Sequence, residues 1–472
     1  MLDIALIRDN PEWVKERLSK LYVEPEVLER IDKIHALDIK RRELRTEVET
    51  LQSKRKILNK QMGALRGNKA LDQADKNKLA FHASQAIEQH DFDLAEQLMG
   101  GDLSLVKSNT TDEAAFDLLI EALKKSGNYI DEGFRQIKEV ETELEESMLW
   151  IPNLPHPSVP VFESEDSNIP QPEKGAEINF EFSPKAHWDL GDALGIIDQE
   201  RGVKLSGSRF YILRGWGARL QRALSNYFLD IARENGFEEV YLPFLVKEEM
   251  LFGSAQFPKF RDVVYEDSDA GLYLLPTAEV AITNMHRDEV LDEDQLPLYY
   301  VGHTPCFRRE RASAGKDTRG IKRVHQFQKV EMFIFANPEN SYAELEKLTG
   351  FAESLCEKLG LRYRRLEIVT GDLGFSATKK YDVEVWAPGA EEWLEVSSCS
   401  NTEAFQARRA LLRYRPANGK STEYVHTLNG SGLALPRIIA AILETYQQAD
   451  GSIIIPEVLR SYLGADKIEA IQ

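Results

Sequence analysis

The sequence predicts an α+β protein in which a mainly antiparallel β-sheet domain follows an N-terminal antiparallel helical coiled-coil arm. Two segments with heptad patterns lie before residue 152 and end at a cluster of prolines, as expected of a helical hairpin. Strand-like runs then recur with few helices between them, which favours an antiparallel sheet over a doubly wound one. With 472 residues the chain is long enough for two domains. We therefore expect one domain at residues 1–152 and another at residues 153–472.

The arm is predicted from apolar residues spaced alternately three and four apart. In the first segment, residues 28–66, the seam is Ile34, Leu37, Leu44, Val48, Leu51, Leu58, Met62 and Leu65, with Arg41 and Arg55 in two further slots. In the second, residues 130–151, it is Ile130, Phe134, Ile137, Leu144, Met148 and Ile151, with Glu141 in one slot. Residues 67–129 break this rhythm, so we expect an elaborated hairpin tip containing extra helices.

The two helical segments carry opposite charge. Residues 31–66 hold ten Lys and Arg against five Asp and Glu, a net charge of +5 (10 − 5), whereas the second segment is acidic. One interpretation is that these charges register the two helices against each other. The other is that the first helix presents a basic ridge to RNA. The overall charge of −19 does not decide between them, because nucleic-acid binding depends on where the basic residues sit.

The second domain is predicted element by element from its periodicity. Residues 218–235 have helical apolar spacing and stop at Gly236, and residues 240–245 are predicted to form a strand interrupted at Pro243. Further strands are expected at residues 273–275, 304–309, 325–335, 363–369, 381–386 and 393–398, and a helix at 438–446.

Composition excludes several classes of protein. The three cysteines, Cys306, Cys356 and Cys399, are far apart and form no Cys-x-x-Cys pair, which argues against a disulfide framework and a sulfur-rich zinc site. No apolar run approaches the roughly 18 residues needed to span a bilayer. Residues 1–11 lack the regions of a secretory signal. We expect a cytoplasmic protein with no membrane partner.

The strongest chemical signal lies in residues 304–335, which are predicted to form a long hairpin. Alternation places Arg308 and Glu310 of the first strand on one surface with Phe327, Lys329 and Glu331 of the second. That surface would combine a bidentate phosphate donor, carboxylates and an aromatic stacking face. The alternative is a charged hairpin whose side chains pair only with one another.

The motifs of this hairpin resemble those of a known family. Phe-Arg-Arg-Glu at 307–310, Gly-Lys-Asp-Thr-Arg-Gly at 315–320 and His-Gln-Phe-Gln-Lys-Val-Glu at 325–331 are similar to motif 2 of the seryl-tRNA synthetases, a class II aminoacyl-tRNA synthetase family. Other segments match in family order at residues 187–191, 207–210, 258–260, 276–279, 395–401, 405–409 and 428–434. The resemblance covers nearly the whole chain. It implies a class II synthetase-like catalytic domain at residues 153–472 and a tRNA-binding arm at residues 1–152.

The resemblance implies a serine–tRNA ligase that activates L-serine with ATP and transfers it to the 3′ end of tRNA(Ser), and also of tRNA(Sec). Arg308 would bind the α-phosphate, Glu310 and Phe327 the adenine, and Arg437 the other face of that base, with Arg308 and Arg437 as the catalytic residues. Glu395 and Ser398 would hold Mg²⁺ beside the phosphates. The implied ATP-binding set is Arg308, Arg309, Glu310, Phe327, Glu395, Val396, Ser397, Ser398 and Arg437.

By the same resemblance, serine binds at Thr277, Ala278, Glu279, Glu331 and Ser431. The ammonium of serine needs a carboxylate, and its hydroxyl needs paired polar groups. Threonine would bring an extra methyl group into a small polar pocket. Alanine would leave Glu331 and Ser431 without a hydroxyl to bind. Selectivity would therefore act against both analogues.

The resemblance also implies two macromolecular contacts. The arm would bind tRNA(Ser) through its first helix, with Arg41, Arg45, Lys54 and Arg55 as candidates, and the chain would form a homodimer through residues 238–243, motif 1 of the class.

Two positions depart from the usual family pattern, namely Arg311-Ala312 in the motif 2 loop and Leu435-Pro436 before Arg437. Two alternatives therefore stay open, an enzyme that makes seryl-adenylate but loads another acceptor, and a non-catalytic RNA-binding protein built on the coiled coil. The basic arm argues against the first alternative, and the presence of Arg308, Glu331 and Arg437 argues against the second.

Overall fold

The computed structural model describes residues 1–106, 108, 110, 112–310, 319–419 and 421–469. They form two compact units, one of residues 29–148 and a larger one of residues 1–28 together with residue 149 onward. The first 28 residues therefore pack in the larger unit, whereas the sequence grouped them with the arm. Within this unit Asp3 pairs with Arg408 at 3.0 Å, and Arg17 donates to the carbonyl of Pro155. That residue 152 marks the boundary between two functional domains stays a prediction.

The helices, in chain order, are α1 (Ile4–Asp9), α2 (Pro11–Ser19), α3 (Pro25–Gly67), α4 (Gln73–Glu88), α5 (Phe92–Met99), α6 (Ala115–Leu149), α7 (His187–Ala193), α8 (Gln199–Ser206), α9 (Trp216–Glu234), α10 (Glu248–Gly253), α11 (Glu279–Thr283), α12 (Ser341–Lys358), α13 (Phe405–Ala410), α14 (Leu435–Thr445) and α15 (Glu457–Leu463). The strands are β1 (Ile169–Pro170), β2 (Ile197–Asp198), β3 (Ile212–Leu213), β4 (Glu238–Glu239), β5 (Leu245–Lys247), β6 (Glu266–Asp267), β7 (Leu272–Leu274), β8 (Val290–Asp292), β9 (Leu298–Phe307), β10 (Gln326–Ala336), β11 (Tyr363–Glu367), β12 (Lys379–Ala387), β13 (Glu392–Asn401), β14 (Arg413–Arg415), β15 (Glu423–Tyr424), β16 (His426–Ala434), β17 (Ile453–Ile454) and β18 (Lys467–Ile468).

The main sheet of the larger unit has, within the described residues, eight strands in the order β1-β11-β12-β13-β16-β10-β9-β4. Its neighbouring strands are antiparallel except for β4, which runs parallel to β9. The predicted α+β class with a mainly antiparallel sheet is therefore confirmed. In this register Glu331 of β10 lies directly opposite both Gly302 of β9 and Ser431 of β16. A bulge between Lys329 and Glu331 shifts the pairing with β16.

Helices α9, α12 and α14 pack on this sheet and bury its core. Helix α14 begins at Leu435, three residues before the predicted start. Pro436 lies in its first turn, where the missing N–H costs no helical hydrogen bond. The Leu435-Pro436 departure from the family pattern is thus compatible with a regular helix that starts just before Arg437.

The strand predicted at residues 240–245 is wrong in part. Strand β4 ends at Glu239, and β5 does not begin until Leu245. Val240 still donates its N–H to the carbonyl of Val301 at 2.9 Å, but Pro243 has no N–H with which to continue the pairing.

In the smaller unit, the long helices α3 and α6 pack against each other around Val48, Ile130 and Ile137. That they form a coiled coil stays a prediction. Every predicted seam residue of the first helix is buried or half-buried, including Arg41 and Arg55. The seam of α6 differs from the prediction at one slot, where Gly133 is buried and Phe134 is exposed; at the polar slot Glu141 is half-buried beside the buried Val140. The buried residues of α6 after residue 125 are Ser126, Gly127, Ile130, Gly133, Ile137, Val140, Leu144, Ser147 and Met148.

A close approach of the two helices explains this difference. A Cβ atom on Gly133 would clash with Cγ2 of Val48, so only glycine fits at this crossing. Phe134, one residue on, is turned outward and is 42% exposed. A search for large apolar residues therefore selects Phe134, whereas the contact between the helices requires the smallest residue.

The tip of the hairpin is helical, as predicted, but shorter than predicted. Helix α6 already begins at Ala115, fifteen residues before the expected start at residue 130. Helices α4 and α5 pack against the ends of α3 and α6 around a small core that includes Leu58, Leu65, Leu79 and Leu119. Among the described residues, no helix is long and apolar enough to cross a membrane.

Candidate active site

A cavity of about 640 Å³ lies in the larger unit beside the β9–β10 hairpin, β13, β16 and the first turn of α14. Its walls carry charged groups of both signs. The cations are Arg308, Lys322, Arg323, Lys329, Lys380 and Arg437, and the carboxylates are Glu279, Glu310, Glu331 and Glu395. Such a cavity can bind an anionic ligand and an ammonium group side by side.

Arg308 and Phe327 form one wall of the cavity. The Arg308 guanidinium carbon lies 5.2 Å from the centre of the Phe327 ring, and its Nε donates to the carbonyl of Pro276 at 3.3 Å. The backbone N–H of Arg308 donates to the carbonyl of His325 at 2.9 Å, which continues the pairing of the hairpin beyond β9. The hairpin thus holds a guanidinium next to a flat aromatic face, as the alternation of the sequence predicted.

A second wall joins Thr277, Lys329 and Glu331. The Thr277 hydroxyl donates to Glu331 Oε2 at 3.1 Å and accepts from Lys329 Nζ at 2.9 Å, while Lys329 Nζ also pairs with Glu331 Oε2. All three side chains are buried. Ser431 follows directly opposite Glu331 in the sheet, so the two lie on the same face. This wall offers hydroxyl groups and a carboxylate within a small space.

Glu279, at the start of α11, lies beside this wall. Burial, and then the nearby Glu331 carboxylate, raise the pKa of Glu279 above its ordinary value. Gln406 opposes this by donating Nε2 to Glu279 Oε1 at 2.6 Å, which favours the charged form.

Two further hydrogen bonds fix the orientation of the Gln406 amide. Its Oε1 accepts from the hydroxyl of Thr427 at 2.7 Å, and its Nε2 also donates to the carbonyl of Ser254 at 3.1 Å. With the oxygen occupied by a hydroxyl donor, the nitrogen must face Glu279.

Glu395 and Arg437 meet on the opposite side of the cavity. Arg437 Nη1 lies 3.6 Å from Glu395 Oε2 and donates to the Glu395 carbonyl at 2.6 Å. Burial acts to raise the pKa of Glu395, but the positive charges of Arg437, Lys380 and Arg308 outweigh it and hold the pKa below its ordinary value. The carboxylate therefore stays ionised at neutral pH.

Behind Glu395, strand β12 contributes Asp382 and Lys380. Asp382 lies directly opposite Ser398 of β13, and Lys380 Nζ is 3.3 Å from Asp382 Oδ2. Burial raises the pKa of Asp382, although Lys380 opposes the shift. Glu395 and Ser398 offer hard oxygen atoms of the kind that Mg²⁺ prefers, so their chemistry fits this ion. Among the described residues, no group of three or more His, Cys, Asp or Glu side chains is arranged to hold a metal ion by itself.

Most of the predicted site residues meet at this one cavity. Its lining contains Thr277, Glu279, Arg308, Glu310, Phe327, Glu331, Glu395, Val396, Ser398, Ser431 and Arg437. Three predicted residues do not line it: Ala278 is fully buried behind it, Ser397 donates to the carbonyl of Ser431 at 2.6 Å, and Arg309 turns towards Tyr265, with its guanidinium 5.1 Å from that ring. Arg311 and Ala312 lie outside the described residues.

The four predicted tRNA contacts lie in the smaller unit, and each has a partner within it. Arg41 pairs with the buried Asp38 at 2.6 Å, and Arg45 pairs with Glu141 of α6 at 3.0 Å. Lys54 pairs with Asp93 of α5, and Arg55 Nε donates to the carbonyl of Leu123 at 3.1 Å. Arg55 thus links α3 to α6, and Arg41 pairs within α3. Arg45 and Lys54 form exposed ion pairs, which contribute little to stability and could be exchanged for other partners.

Sequence reasoning missed several residues that line the cavity, namely Lys322, Arg323 and Lys380, and two that lie behind it, Asp382 and Gln406. Lys380 and Asp382 come from β12, whose pairing with β13 no motif reveals. Lys322 and Arg323 lie just before the quoted motif at residues 325–331. Their positive charge was the feature of the sequence that could have identified them as phosphate-binding candidates. Gln406 lay inside a quoted segment, but only the structure reveals its contact with Glu279.

Two family models match the chain. Residues 261–446 match the tRNA synthetase class II core domain (G, H, P, S and T), and residues 1–97 match the seryl-tRNA synthetase N-terminal domain. The serine–tRNA ligase of Roseiflexus sp. (strain RS-1) is 50% identical over 468 residues, 99% of each chain. That of Chloroflexus aurantiacus (strain ATCC 29366 / DSM 635 / J-10-fl) is 50% identical over 464 residues, 98% of each chain.

Two solved structures are similar over the full length. The seryl-tRNA synthetase of Pyrococcus horikoshii, complexed with ATP, has a TM-score of 0.86 and 37% identity and covers 100% of both chains. The cytoplasmic serine–tRNA ligase of Naegleria fowleri, in complex with AMP, has a TM-score of 0.84 and 29% identity, with 100% of this chain and 99% of that chain covered.

The antiparallel sheet, its charged cavity and the match to the core domain define a class II aminoacyl-tRNA synthetase, an ATP-dependent ligase. The N-terminal match and the full-length relatives narrow the assignment further. The chain belongs to the seryl-tRNA synthetase family. The predicted fold class, enzyme class and family are confirmed.

Proposed function

We propose that the chain activates L-serine with ATP and transfers the seryl group to the 3′ end of tRNA(Ser). One observation carries the proposal: Arg308 and Arg437 line the same cavity as Thr277, Glu279 and Glu331. Cations for a triphosphate and carboxylates for an ammonium thus lie within reach of two substrates bound together. Holding them in this way removes most of the entropic barrier to their reaction.

In the first step, a carboxylate oxygen of serine attacks the α-phosphorus of ATP. The bond from that phosphorus to the bridging oxygen breaks, and pyrophosphate leaves with the electron pair. Arg308 donates to the α-phosphate oxygens, on which negative charge grows in the transition state. Phe327 stacks on the adenine, Glu310 accepts from its amino group, and Arg437 covers the other face of the ring.

In the second step, the terminal ribose hydroxyl of tRNA attacks the seryl carbonyl carbon, and AMP leaves. The proposed ATP-binding set also keeps Val396, which lines the cavity, and Arg309 and Ser397, which are next to lining residues in the sequence.

Glu395 and Ser398 would hold Mg²⁺, with further ligands from phosphate oxygens and water, as this ion prefers. The ion would neutralise phosphate charge when bound. Asp382, opposite Ser398, supports the two ligands from behind.

Serine selectivity follows from the wall opposite the phosphates. Glu279 and Glu331 would bind the ammonium and hydroxyl groups, Thr277 and Ser431 complete the polar surface, and Ala278 closes it from behind. Because Glu331 and Ser431 lie opposite each other in the sheet, they can enclose a side chain no longer than that of serine.

The arm would bind tRNA(Ser) through its first helix, with Arg45 and Lys54 exchanging their surface partners for phosphates and Arg41 and Arg55 holding the seam. Use of tRNA(Sec) stays a prediction, as does location in the cytoplasm.

We also propose a homodimer through residues 238–243. These lie at the β4 edge of the sheet, where Tyr241 is 88% exposed.

Serine-dependent exchange of pyrophosphate into ATP tests the first step without tRNA. We expect exchange with L-serine and Mg²⁺, and at most traces with threonine or alanine. Charging of total tRNA with labelled serine then tests the second step. Exchange with threonine or alanine but not with serine would overturn the proposal, and exchange without charging would favour an enzyme that loads another acceptor.

A further inference from the structure

A buried histidine and glutamate that take no part in the proposed steps lie behind the cavity. His187, at the start of α7, and Glu444, in the last turn of α14, are both fully buried. His187 Nδ1 is 2.7 Å from Glu444 Oε1, which also accepts the His187 backbone N–H at 2.9 Å. Glu444 Oε2 accepts the N–H groups of Gly389 and Ala390, each at 2.9 Å. The carboxylate thus accepts four hydrogen bonds.

This arrangement determines what the other ring nitrogen does. With Nδ1–H donating to Glu444, Nε2 of a neutral His187 is an acceptor, and it accepts the N–H of Ile321 at 3.3 Å. Gly320 has a φ of 71°, and a Cβ atom there would clash with His187 Nε2. His187 therefore contacts a backbone position where only glycine fits.

Ile321 belongs to a short stretch, residues 319–322, which we call the exit segment because it leads into β10. Helix α14 holds this segment at two adjacent residues. Arg437 lies seven residues before Glu444, about two turns away on the same helix face, and its Nε donates to the carbonyl of Lys322 at 3.3 Å. Glu444 holds Ile321 through His187.

The exit segment leads directly to the positive charges of the cavity. Lys322 and Arg323 both line it, and Glu392 Oε1 holds Lys322 Nζ in place at 2.6 Å. Gln199 of α8 holds the segment from its exposed side by donating to the carbonyl of Gly320 at 2.7 Å. Glu331 lies further along β10, but there the strand is held on both sides, because Glu331 pairs with Gly302 of β9 and Ser431 of β16. Its partner Thr277 comes from another part of the chain.

We propose that His187 and Glu444 are positioning residues for ATP: they fix the exit segment so that Lys322 and Arg323 present their charges on the phosphate side of the cavity. This inference rests on the proposed function. It assigns to the buried pair an effect on ATP binding that spares serine binding. A merely structural role would instead lower stability and affect both substrates alike.

Two substitutions of His187 separate its two hydrogen bonds. His187→Asn places an amide near the position of Nδ1 and removes the acceptor for Ile321, whereas His187→Gln carries an acceptor near the position of Nε2. In serine-dependent pyrophosphate exchange, we expect His187→Asn to raise the KM for ATP about five- to tenfold, as for the loss of one buried hydrogen bond. The KM for serine should stay within about twofold, and His187→Gln should recover most of the loss.

His426→Asn is the matched control, because His426 hydrogen-bonds Ser341 of α12 at 2.8 Å, away from the exit segment. It should leave the KM for ATP unchanged. If His187→Asn does not fold, Gln199→Ala decides the question, since it loosens the same segment from an exposed position and should raise the KM for ATP alone.

Equal rises in both KM values, or unchanged KM values with only a lower melting temperature, would overturn the inference for whichever variant is measured. Failure of the wild-type chain to exchange pyrophosphate with serine would instead overturn the proposed function. The two failures are therefore distinguishable in one assay.

Discussion

At the scale of single residues, Lys329 sets the charge of the wall at which we propose that serine binds. Its ammonium pairs with Glu331 and donates to Thr277, so a buried carboxylate is neutralised before any substrate binds. A buried carboxylate without such a partner would be costly. On the proposed assignment, the ammonium of serine would share Glu331 with Lys329. A ligand without an ammonium group could not form this ion pair.

Replacing Arg308 with alanine should lower the rate of pyrophosphate exchange about 100-fold or more, roughly 3 kcal/mol, because the substitution removes the donor to the developing phosphate charge. The neighbouring Arg309→Ala is the matched contrast. Because Arg309 packs over Tyr265 rather than lining the cavity, its loss should cost less than about tenfold. Circular dichroism checks that both variants fold. Equal losses for the two variants would contradict the assignment of roles.

Replacing Gln406 with methionine should make serine binding more sensitive to acid. Gln406 stabilises the charged form of Glu279, so its removal raises the pKa of that carboxyl further above its ordinary value. As pH falls, Glu279 is then protonated at a higher pH than in the wild type, and the ammonium of serine loses a partner. The KM for serine, measured from about pH 8 to 5.5, should begin to rise at higher pH in the variant, with the KM for ATP unchanged. An identical pH profile for both proteins would refute this.

At the scale of elements, the arm shows what periodicity can and cannot predict. The seam of α3 follows from the heptads alone, even at Arg41 and Arg55, because the small residues at the close contacts, Gly127 and Gly133, are all on α6. On α6 the same rule selects Phe134, since the approach of Val48 to Gly133 depends on the partner helix and has no apolar signature.

Gly133→Leu should therefore loosen the arm, at a cost of about 1–3 kcal/mol for an overpacked contact, whereas Phe134→Ala should have little effect. Hydrogen exchange of peptides from α6, followed by mass spectrometry, measures this directly. Faster hydrogen exchange in the Phe134 variant than in the Gly133 variant would instead support the seam predicted from the sequence, in which Phe134 contacts the other helix.

Charge reversal on the first arm helix tests its binding role. Arg45→Glu with Lys54→Glu should weaken tRNA(Ser) binding and reduce the slope of log affinity against log salt by about 2, one for each lost phosphate contact. The matched control is Arg135→Glu with Lys138→Glu, which changes the charge of α6 by the same amount. Helicity must be unchanged in both. If the two double variants bind tRNA equally well, the binding surface does not include Arg45 and Lys54.

At the scale of the whole molecule, the catalytic cavity could be predicted from motifs only where one segment supplies several groups. The hairpin carrying Arg308, Phe327 and Glu331 is such a segment. Lys380 reaches the cavity only because β12 pairs with β13, and the pairing of Glu331 with Ser431 depends on the register of two strands distant in sequence. Which distant strands pair, and in which register, depends on tertiary structure and cannot be predicted from a single sequence.

The exposed Tyr241 should mark the surface through which two copies associate. Tyr241→Asp should shift the protein from dimer to monomer in analytical ultracentrifugation at micromolar concentration, because it places a charge in an apolar contact. Tyr22→Asp, at a tyrosine that is 47% exposed, is the matched control and should leave the dimer intact. A wild-type chain that sediments as a monomer and retains activity would contradict the proposed assembly.

The packing of residues 1–28 within the larger unit bears on how the chain is made. The arm is an insertion between residues 28 and 149 of that unit, and its long helices pair within one continuous stretch. During synthesis the arm can fold as soon as it leaves the ribosome, because its contacts are local in sequence. Asp3 can pair with Arg408 only after residue 408 has been translated, and Arg17 can bind the Pro155 carbonyl only after residue 155 has been translated. Residues 1–28 are thus translated before the arm but reach partners such as Arg408 only after it, so they remain accessible to chaperones while the arm and most of the larger unit are being made.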